Sequence, residues 1–385
     1  MEGGPVSGGR AFPEKERLYS LDAFRGAAIA AMILVNNPGS WSHVFPPLEH
    51  ARWNGWTPTD LVFPFFLFIV GVALVFSLTR RIEGNDRGKA LPRIFRRAAV
   101  LFLLGLFLNG FPFLSFSPLG LHPHLVHLRI PGVLQRIALC YLGASLLFLY
   151  VPHRRLPWIV AGILLGYWAL MGLVSAPGAG APGGKDANPA AWLDRLLLGG
   201  HLWAYSKTWD PEGILSTFPA LCTTLFGVSA GKMFFQDLSG AERTARLMVR
   251  GALLVILGFV WNWFFPINKN LWTSSYAVFT AGQAFCALGV FYWFADVQKK
   301  RGWTFPLVVY GRNAITVFVM SGILGRLLVL IRLGDGTALK TWIYREVFLS
   351  WLPPVYASLA YALAWVGGWY LVLLWMYKRK IFLKV

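Results

Sequence analysis

His50, Asn36 and Asp60 are the residues of this 385-residue chain whose types and settings best suit chemistry. His50 falls in Glu49-His50-Ala51-Arg52-Trp53-Asn54-Gly55-Trp56-Thr57-Pro58-Thr59-Asp60, a polar, aromatic-rich stretch between two long apolar segments. An imidazole titrates near neutral pH, so it can take a proton from an amine or hydroxyl nucleophile. Asp60 can orient that imidazole across the loop. It can equally accept hydrogen bonds from free backbone N–H groups at a helix start, with Thr57 as N-cap and Pro58 in the first turn. Asn36, in Asn36-Asn37-Pro38-Gly39, closes the first apolar segment. Such residues terminate helices, and an amide there can also donate to a developing thioester oxyanion.

Other polar residues surround these. His50 could be an ordinary exposed loop histidine, with Trp41, Trp53 and Trp56 anchoring at a membrane interface or lining a pocket. Trp53 and Asn54 beside it, and His201 in a later loop, are candidate substrate contacts. Asp210 and Glu212, in Trp209-Asp210-Pro211-Glu212-Gly213, suit a helix cap, a cationic amine or sugar hydroxyls. Asn268 and Asn270, with Lys269 between them, make a turn richer in hydrogen-bonding groups than two helices need. Gln135 and Arg136 enter an apolar segment, where an unpaired charge is expensive. Arg136 must snorkel, pair with Asp60 or another acid, or hold an anionic ligand. Arg312 and Asn313 lie deeper in their segment, and Arg25 is spaced to pair with Asp22 at i,i+3. No metal-ligand spacing, phosphate loop or Ser-His-Asp signature is present.

The elements that must position these groups are membrane spans. Hydrophobic residues are 56% of the chain and charged ones 14%, with mean hydropathy +0.54. A soluble protein keeps roughly a quarter of its residues charged. Apolar runs recur at a length that crosses a hydrocarbon core of about 30 Å. The expected fold class is all-α, a polytopic transmembrane bundle of about ten spans at 21–37, 58–79, 94–113, 131–151, 156–174, 214–235, 246–265, 271–293, 305–330 and 354–377. A β-barrel is excluded because its strands would alternate in polarity. Residues 339–352 are short and amphipathic and belong in the interface. Cys140, Cys222 and Cys286 fall in apolar runs and read as small core residues. Residues 1–20 form a polar tail with no cleavable signal peptide, and 21–385 form one domain.

The net charge of +19 does not signal nucleic acid, because the basic residues crowd alternate connections. Arg80, Arg81, Arg87, Lys89, Arg93, Arg96 and Arg97 mark one; Arg154 and Arg155, Arg243 and Arg246, Lys299 to Arg301, and Lys378 to Lys380 continue the series. By the positive-inside rule these connections and both termini face the cytoplasm. The loops 38–57, 114–130, 175–213, 266–270 and 331–353 then lie outside. The long loop 175–213 opens with a Gly/Pro-rich run and continues with structured-looking sequence, Ala191 to Leu198.

Several strings, in order along the chain, carry a resemblance. They are Ser20-Leu21-Asp22-Ala23-Phe24-Arg25-Gly26, Val35-Asn36, His50-Ala51-Arg52-Trp53-Asn54-Gly55, Asp60-Leu61-Val62-Phe63-Pro64, Ile130-Pro131-Gly132-Val133-Leu134-Gln135-Arg136, Leu193-Asp194-Arg195-Leu196-Leu197-Leu198-Gly199, Asp210-Pro211-Glu212-Gly213 and Asn268-Lys269-Asn270-Leu271-Trp272. Together they resemble the heparan-α-glucosaminide N-acetyltransferase family and its bacterial relatives, without the large lumenal extension of the lysosomal members. The resemblance implies transfer from cytoplasmic acetyl-CoA to a glucosamine-type amine on the outer side of an inner (plasma) membrane. His50 matches the family's catalytic histidine and Asn36 an asparagine beside it.

On that reading His50 deprotonates the amine or carries the acetyl group transiently, and Asn36 steadies the thioester oxygen. Arg25, Gln135, Arg136, Lys269, Arg312 and Asn313 are candidates to hold acetyl-CoA, joined by Arg96, Arg97 and Lys299 on position alone. Partners are acetyl-CoA, an amino-sugar acceptor and the bilayer, with a homodimer left open; no metal and no nucleic acid are expected. A secondary transporter of sugars or amino sugars is the competing class, and it would place its polar residues near the membrane midplane.

Overall fold

The computed structural model describes residues 18–83, 87–116, 119–177 and 184–383. The polar tail up to residue 17 and part of the Gly/Pro-rich run after Ala176 lie outside the described residues. Thirteen helices are described: α1 (Tyr19–Asn36), α2 (Pro58–Glu83), α3 (Arg87–Gly110), α4 (Val133–Tyr150), α5 (Leu156–Leu173), α6 (Pro189–Leu198), α7 (Thr217–Lys232), α8 (Gly240–Trp261), α9 (Ser274–Tyr292), α10 (Phe305–Arg312), α11 (Ala314–Leu330), α12 (Leu339–Ile343) and α13 (Pro354–Lys378).

Helices stand on all ten expected segments. Seven are long and apolar enough to cross a membrane, or eight if the bent pair α10/α11 is one span. Helices α1 and α3 are not in that set. Both carry charge along their length, α1 at Asp22 and Arg25, and α3 at its Arg/Lys-rich start. Helix α6 forms where the long loop looked structured, with Asn188 capping it through Ala191 N–H at 2.9 Å. The expected interfacial segment is α12 followed by a π-helical stretch, Tyr344–Leu349.

One departure from an all-helical reading is small. Leu114–Phe116 and Leu119–Leu121 pair antiparallel, Leu114 opposite Leu121, as a hairpin leading from α3 toward α4.

The bundle is held by close helix crossings. Helix α1 packs on α2 and α10, α2 on α7, α3 on α4, and α8 on α9. Membrane helices have no water to squeeze out between them, so small residues that let backbones approach supply the contact. A Cβ on Gly26 would sit 1.6 Å from the Leu307 carbonyl oxygen, and one on Gly311 would sit 2.0 Å from that of Asp22. No other residue fits at this α1/α10 crossing. The two pieces α10 and α11 then meet at 79° around Asn313. That side chain holds the C-terminal segment, donating to the Ile381 carbonyl at 3.0 Å and accepting from Leu383 N–H at 3.0 Å.

Candidate active site

Asp60 sits in the first turn of α2 and its carboxylate is buried, while the His50 side chain is 47% exposed. Asp60 Oδ1 lies 2.6 Å from His50 Nδ1. Oδ2 accepts from the N–H groups of Ala51 and Thr57 and from the Thr57 hydroxyl, each at 3.1 Å. One oxygen of Asp60 thus lies on the imidazole and the other binds the chain entering the helix. An Nδ1–H donated to Asp60 leaves Nε2 as the acceptor nitrogen a general base needs, with Lys269 Nζ 3.3 Å from it.

Lys269 completes the cluster. Its Nζ lies 3.0 Å from His50 Nδ1, 3.3 Å from Nε2 and 3.5 Å from Asp60 Oδ1. Burial pulls the Lys269 ammonium below its ordinary value, against the opposing pull of Asp60 and Glu212. The turn that delivers Lys269 is tied to the His50 loop. Asn268 Nδ2 donates to Asn54 Oδ1 at 3.1 Å, and Gly55 N–H donates to the Ile267 carbonyl at 2.7 Å. Thus Asn54 and Asn268 join the two loops, and Lys269, expected on the cofactor, lies against His50. Asn270 follows it, half-buried.

Two cavities meet inside the bundle. One, of about 700 Å³, is lined by Asn36, Asn37, Asn109, Arg129, Gln135, His124 and, across it, Arg326 and Lys340. The other, of about 340 Å³, is lined by Arg25, Arg97 and Arg312, with Tyr141 and Phe382. Between them lies an apolar neck of about 10 Å³, made by residues such as Met32, Phe66, Leu134, Ile315 and Phe318. Leu134 lines both cavities and the neck.

The arginine cavity is built for an anion. Arg25 pairs with Asp22 at 3.0 Å, as its spacing predicts. Arg97 lies over the Tyr141 ring at 4.9 Å and Arg312 over Phe382 at 5.0 Å. The Nε atoms of both are buried with no hydrogen-bond partner among the described residues. Buried polar groups are rarely left so; phosphate oxygens would satisfy them. Arg96 and Lys299 are exposed and do not line this cavity.

The remaining expected contacts have structural duties. Arg136 is 1% exposed. It donates to the carbonyls of Pro211 at 2.9 Å and Gly213 at 3.0 Å and to the Ser216 hydroxyl, and stacks over Trp272. Among the described residues it pairs with no acid; these acceptors take both terminal nitrogens and offset its burial, while Nε stays buried without a partner. Asp210 and Glu212 are bound by Arg129, through Nε to Asp210 at 2.8 Å and through Nη2 to both acids. Burial raises the Glu212 carboxyl, but Arg129 and Arg136 outweigh it and hold the group below its ordinary range. His201 Nδ1 lies 2.9 Å from the Leu128 carbonyl oxygen, and Trp53 packs edge-on against Trp209.

Gln135 lines the Asn36 cavity rather than the arginine one. Its Nε2 is buried without a partner among the described residues. Gly105 makes room for it, since a Cβ there would lie 2.2 Å from Gln135 Oε1. Asn36 is exposed at the cavity wall. No hydrogen bond joins it to His50 among the described residues, and His50 lines neither cavity. The sequence reading passed over Arg129, Asn109, Arg326 and Lys340 as site residues. For Arg129 and Arg326 the only signal was a charge near the end of an apolar segment.

Comparison with known proteins shows a family. The family model for the catalytic region of heparan-alpha-glucosaminide N-acetyltransferase matches residues 17–259. The human heparan-alpha-glucosaminide N-acetyltransferase is 33% identical over 359 residues, covering 79% of this chain and 52% of the relative. The mouse protein of the same name is 30% identical over 423 residues, covering 96% of this chain and 60% of the relative. The chain thus spans about half to three-fifths of the length of these curated relatives.

Proposed function

The chain belongs to the heparan-α-glucosaminide N-acetyltransferase family, and on that premise we propose that it moves the acetyl group of acetyl-CoA to the amine of a glucosamine-type sugar. The donor enters from the cytoplasmic face and the acceptor waits on the other side of an inner membrane. The observation that carries this reading is the pair of cavities meeting at one neck, arginine-lined at one end and amide-lined at the other.

The phosphates of CoA rest on Arg97, Arg312 and Arg25, because so charged a group cannot enter hydrocarbon. The pantetheine arm threads the neck, which opens by rotation of Met32 and Phe318. The thioester then stands at Asn36, whose amide donates to the carbonyl oxygen as negative charge develops there. His50 lines neither cavity, so its loop swings toward Asn36 before Nε2 takes the amine proton as the nitrogen attacks the carbonyl carbon. The C–N bond forms and the C–S bond breaks. The imidazolium returns its proton to the leaving thiolate, giving N-acetyl sugar and free CoA.

Asp60 keeps the imidazole in the tautomer with Nε2 as acceptor, and Lys269 Nζ, 3.3 Å from Nε2, gives way to the incoming amine. An apolar neck also argues against the transporter class, whose substrate would need polar groups at mid-bundle.

The test is transfer of radiolabelled acetyl from acetyl-CoA to glucosamine by protein in vesicles. His50→Ala should abolish it with the fold intact, and Asn36→Ala should lower turnover by about 10²-fold while CoA affinity holds. Wild-type turnover in His50→Ala would end the assignment. Sidedness is checked separately: an impermeant maleimide added outside should label His201→Cys and not Lys299→Cys.

A further inference from the structure

Helix α11 separates the Asn36 cavity from a second recess, an apolar groove of about 400 Å³ against α13. Leu324 and Leu328 of α11 form one wall, and Tyr361, Trp365 and Trp369 of α13 the other. The two spaces share walls. Trp365 Nε1, in the groove, donates to Ser321 Oγ, in the cavity, at 2.8 Å. Lys340 Nζ, in the cavity, lies 5.7 Å from the centre of the Tyr361 ring, in the groove.

The cavity is lined by Arg326 as well as Lys340, both half-buried. Neither has an ion-pair partner or a side-chain hydrogen bond among the described residues. Arg129 in the same cavity, by contrast, is neutralised by Asp210 and Glu212. Burial lowers the Lys340 ammonium, and no acid opposes it. Desolvated cations without counter-charge are costly, so these two await an anion from outside the chain. The donor cannot supply it on the reading above, because its phosphates lie beyond the neck on Arg97 and Arg312.

The groove names the rest of the ligand. Along α13 it runs from Tyr361 to Val372, about 16 Å at 1.5 Å per residue. That is about half of a hydrocarbon core of ~30 Å, the depth of one leaflet. Leu324 and Val372 in its walls are 40% and 46% exposed, so a chain can enter sideways from the bilayer.

We propose that this is a lipid-phosphate site: the acceptor sugar is carried on a phosphate-bearing lipid, its phosphate between Arg326 and Lys340 and its chain in the α11/α13 groove. This deepens the acetyltransferase reading and rests on it for the identity of the reacting group. The sugar then lies in the cavity lined by Asn36, and the membrane itself delivers the acceptor.

The experiment uses the full chain in phosphatidylcholine vesicles, with two readouts. The first is photocapture of dodecyl phosphate bearing a diazirine in its tail, beside the matching dodecanol. The second is the KM for glucosaminyl-phosphoryl-dodecanol against that for free glucosamine. Dodecyl phosphate should be captured and dodecanol not, and the lipid-linked acceptor should show a KM about tenfold lower. The double variant Arg326→Ala/Lys340→Ala should cut capture by about tenfold. Gly368→Phe puts a ring on the groove wall at a position where a Cβ meets nothing within 4 Å; it should cut capture similarly and bring the two KM values together. Equal capture of dodecanol, unchanged capture in both variants, or displacement of the probe by inorganic phosphate as readily as by dodecyl phosphate would each overturn the proposal. Phosphate-dependent capture with no transfer to either acceptor would uphold the site and overturn the acetyltransferase reading.

Discussion

Asp60 Oδ1 holds His50 Nδ1 at 2.6 Å while Oδ2 binds the backbone of Ala51 and Thr57. One buried carboxylate thus sets both the imidazole and the entry of the chain into α2. Separating the two duties is the sharpest test of the site. Asp60→Asn keeps an acceptor oxygen but loses the charge that fixes the tautomer. It should lower kcat by about 10²–10⁴-fold with little change in KM or melting temperature. Asp60→Ala should lose both activity and about 1–2 kcal/mol of stability, as helix-cap removals do. An active Asp60→Asn enzyme would show that the carboxylate serves the fold alone.

Arg97 and Arg312 line the arginine cavity, and the Nε of each is buried without a hydrogen-bond partner among the described residues. Replacing either by Ala should weaken CoA binding by about tenfold or more, the worth of a charge-assisted hydrogen bond. Turnover at saturating donor should stay near the parent value. Lys should restore only part of the affinity, lacking the planar fork. Isothermal titration with CoA reads the effect directly, and undiminished affinity in both variants would move the donor elsewhere.

Leu134 is common to both cavities and the neck. Leu134→Trp should plug the neck and reduce transfer by about 10²-fold or more, because a misplaced thioester forfeits proximity. Adenosine 3′,5′-bisphosphate, which has no pantetheine arm, should still bind the arginine cavity normally. Full transfer in this variant would mean that the acetyl group takes another route.

Asp194 in α6 supplies a pH signature. Burial, with the nearby charge of Asp210, raises its carboxyl from 3.8 to about 6, despite the N–H groups of Ile214 and Asp210. The folded state therefore holds its proton where the unfolded state has lost it. Stability from this group is full below about pH 4 and is lost as pH rises to about 6; at about 1.4 kcal/mol per pH unit the loss is at most roughly 3 kcal/mol. Asp194→Asn should flatten that part of the melting profile and raise stability near pH 7. A profile as steep as the parent's would assign the slope to another group.

Much of this was legible in one dimension. The apolar runs placed the helices because about 20 such residues match the hydrocarbon thickness wherever they occur. His50, Asp60 and Asn36 stood out because polar groups between such runs are few. Arg25 and Asp22 could be paired by helical spacing alone.

The pairings that cross the bundle were not legible. Lys269 reaches His50 over 219 residues of chain, and Arg129 reaches Asp210 over 81. The first gathers a cation at the site; the second removes two acids that looked available for substrate. Arg97 and Arg312 come to line one cavity, and Arg326 and Lys340 another, only once helices from distant segments enclose the same space. Hydrophobicity is a local property, so sequence alone established which segments are helices. Whether a charge is neutralised or left free depends on which helices pack together, and the folded bundle alone decided that.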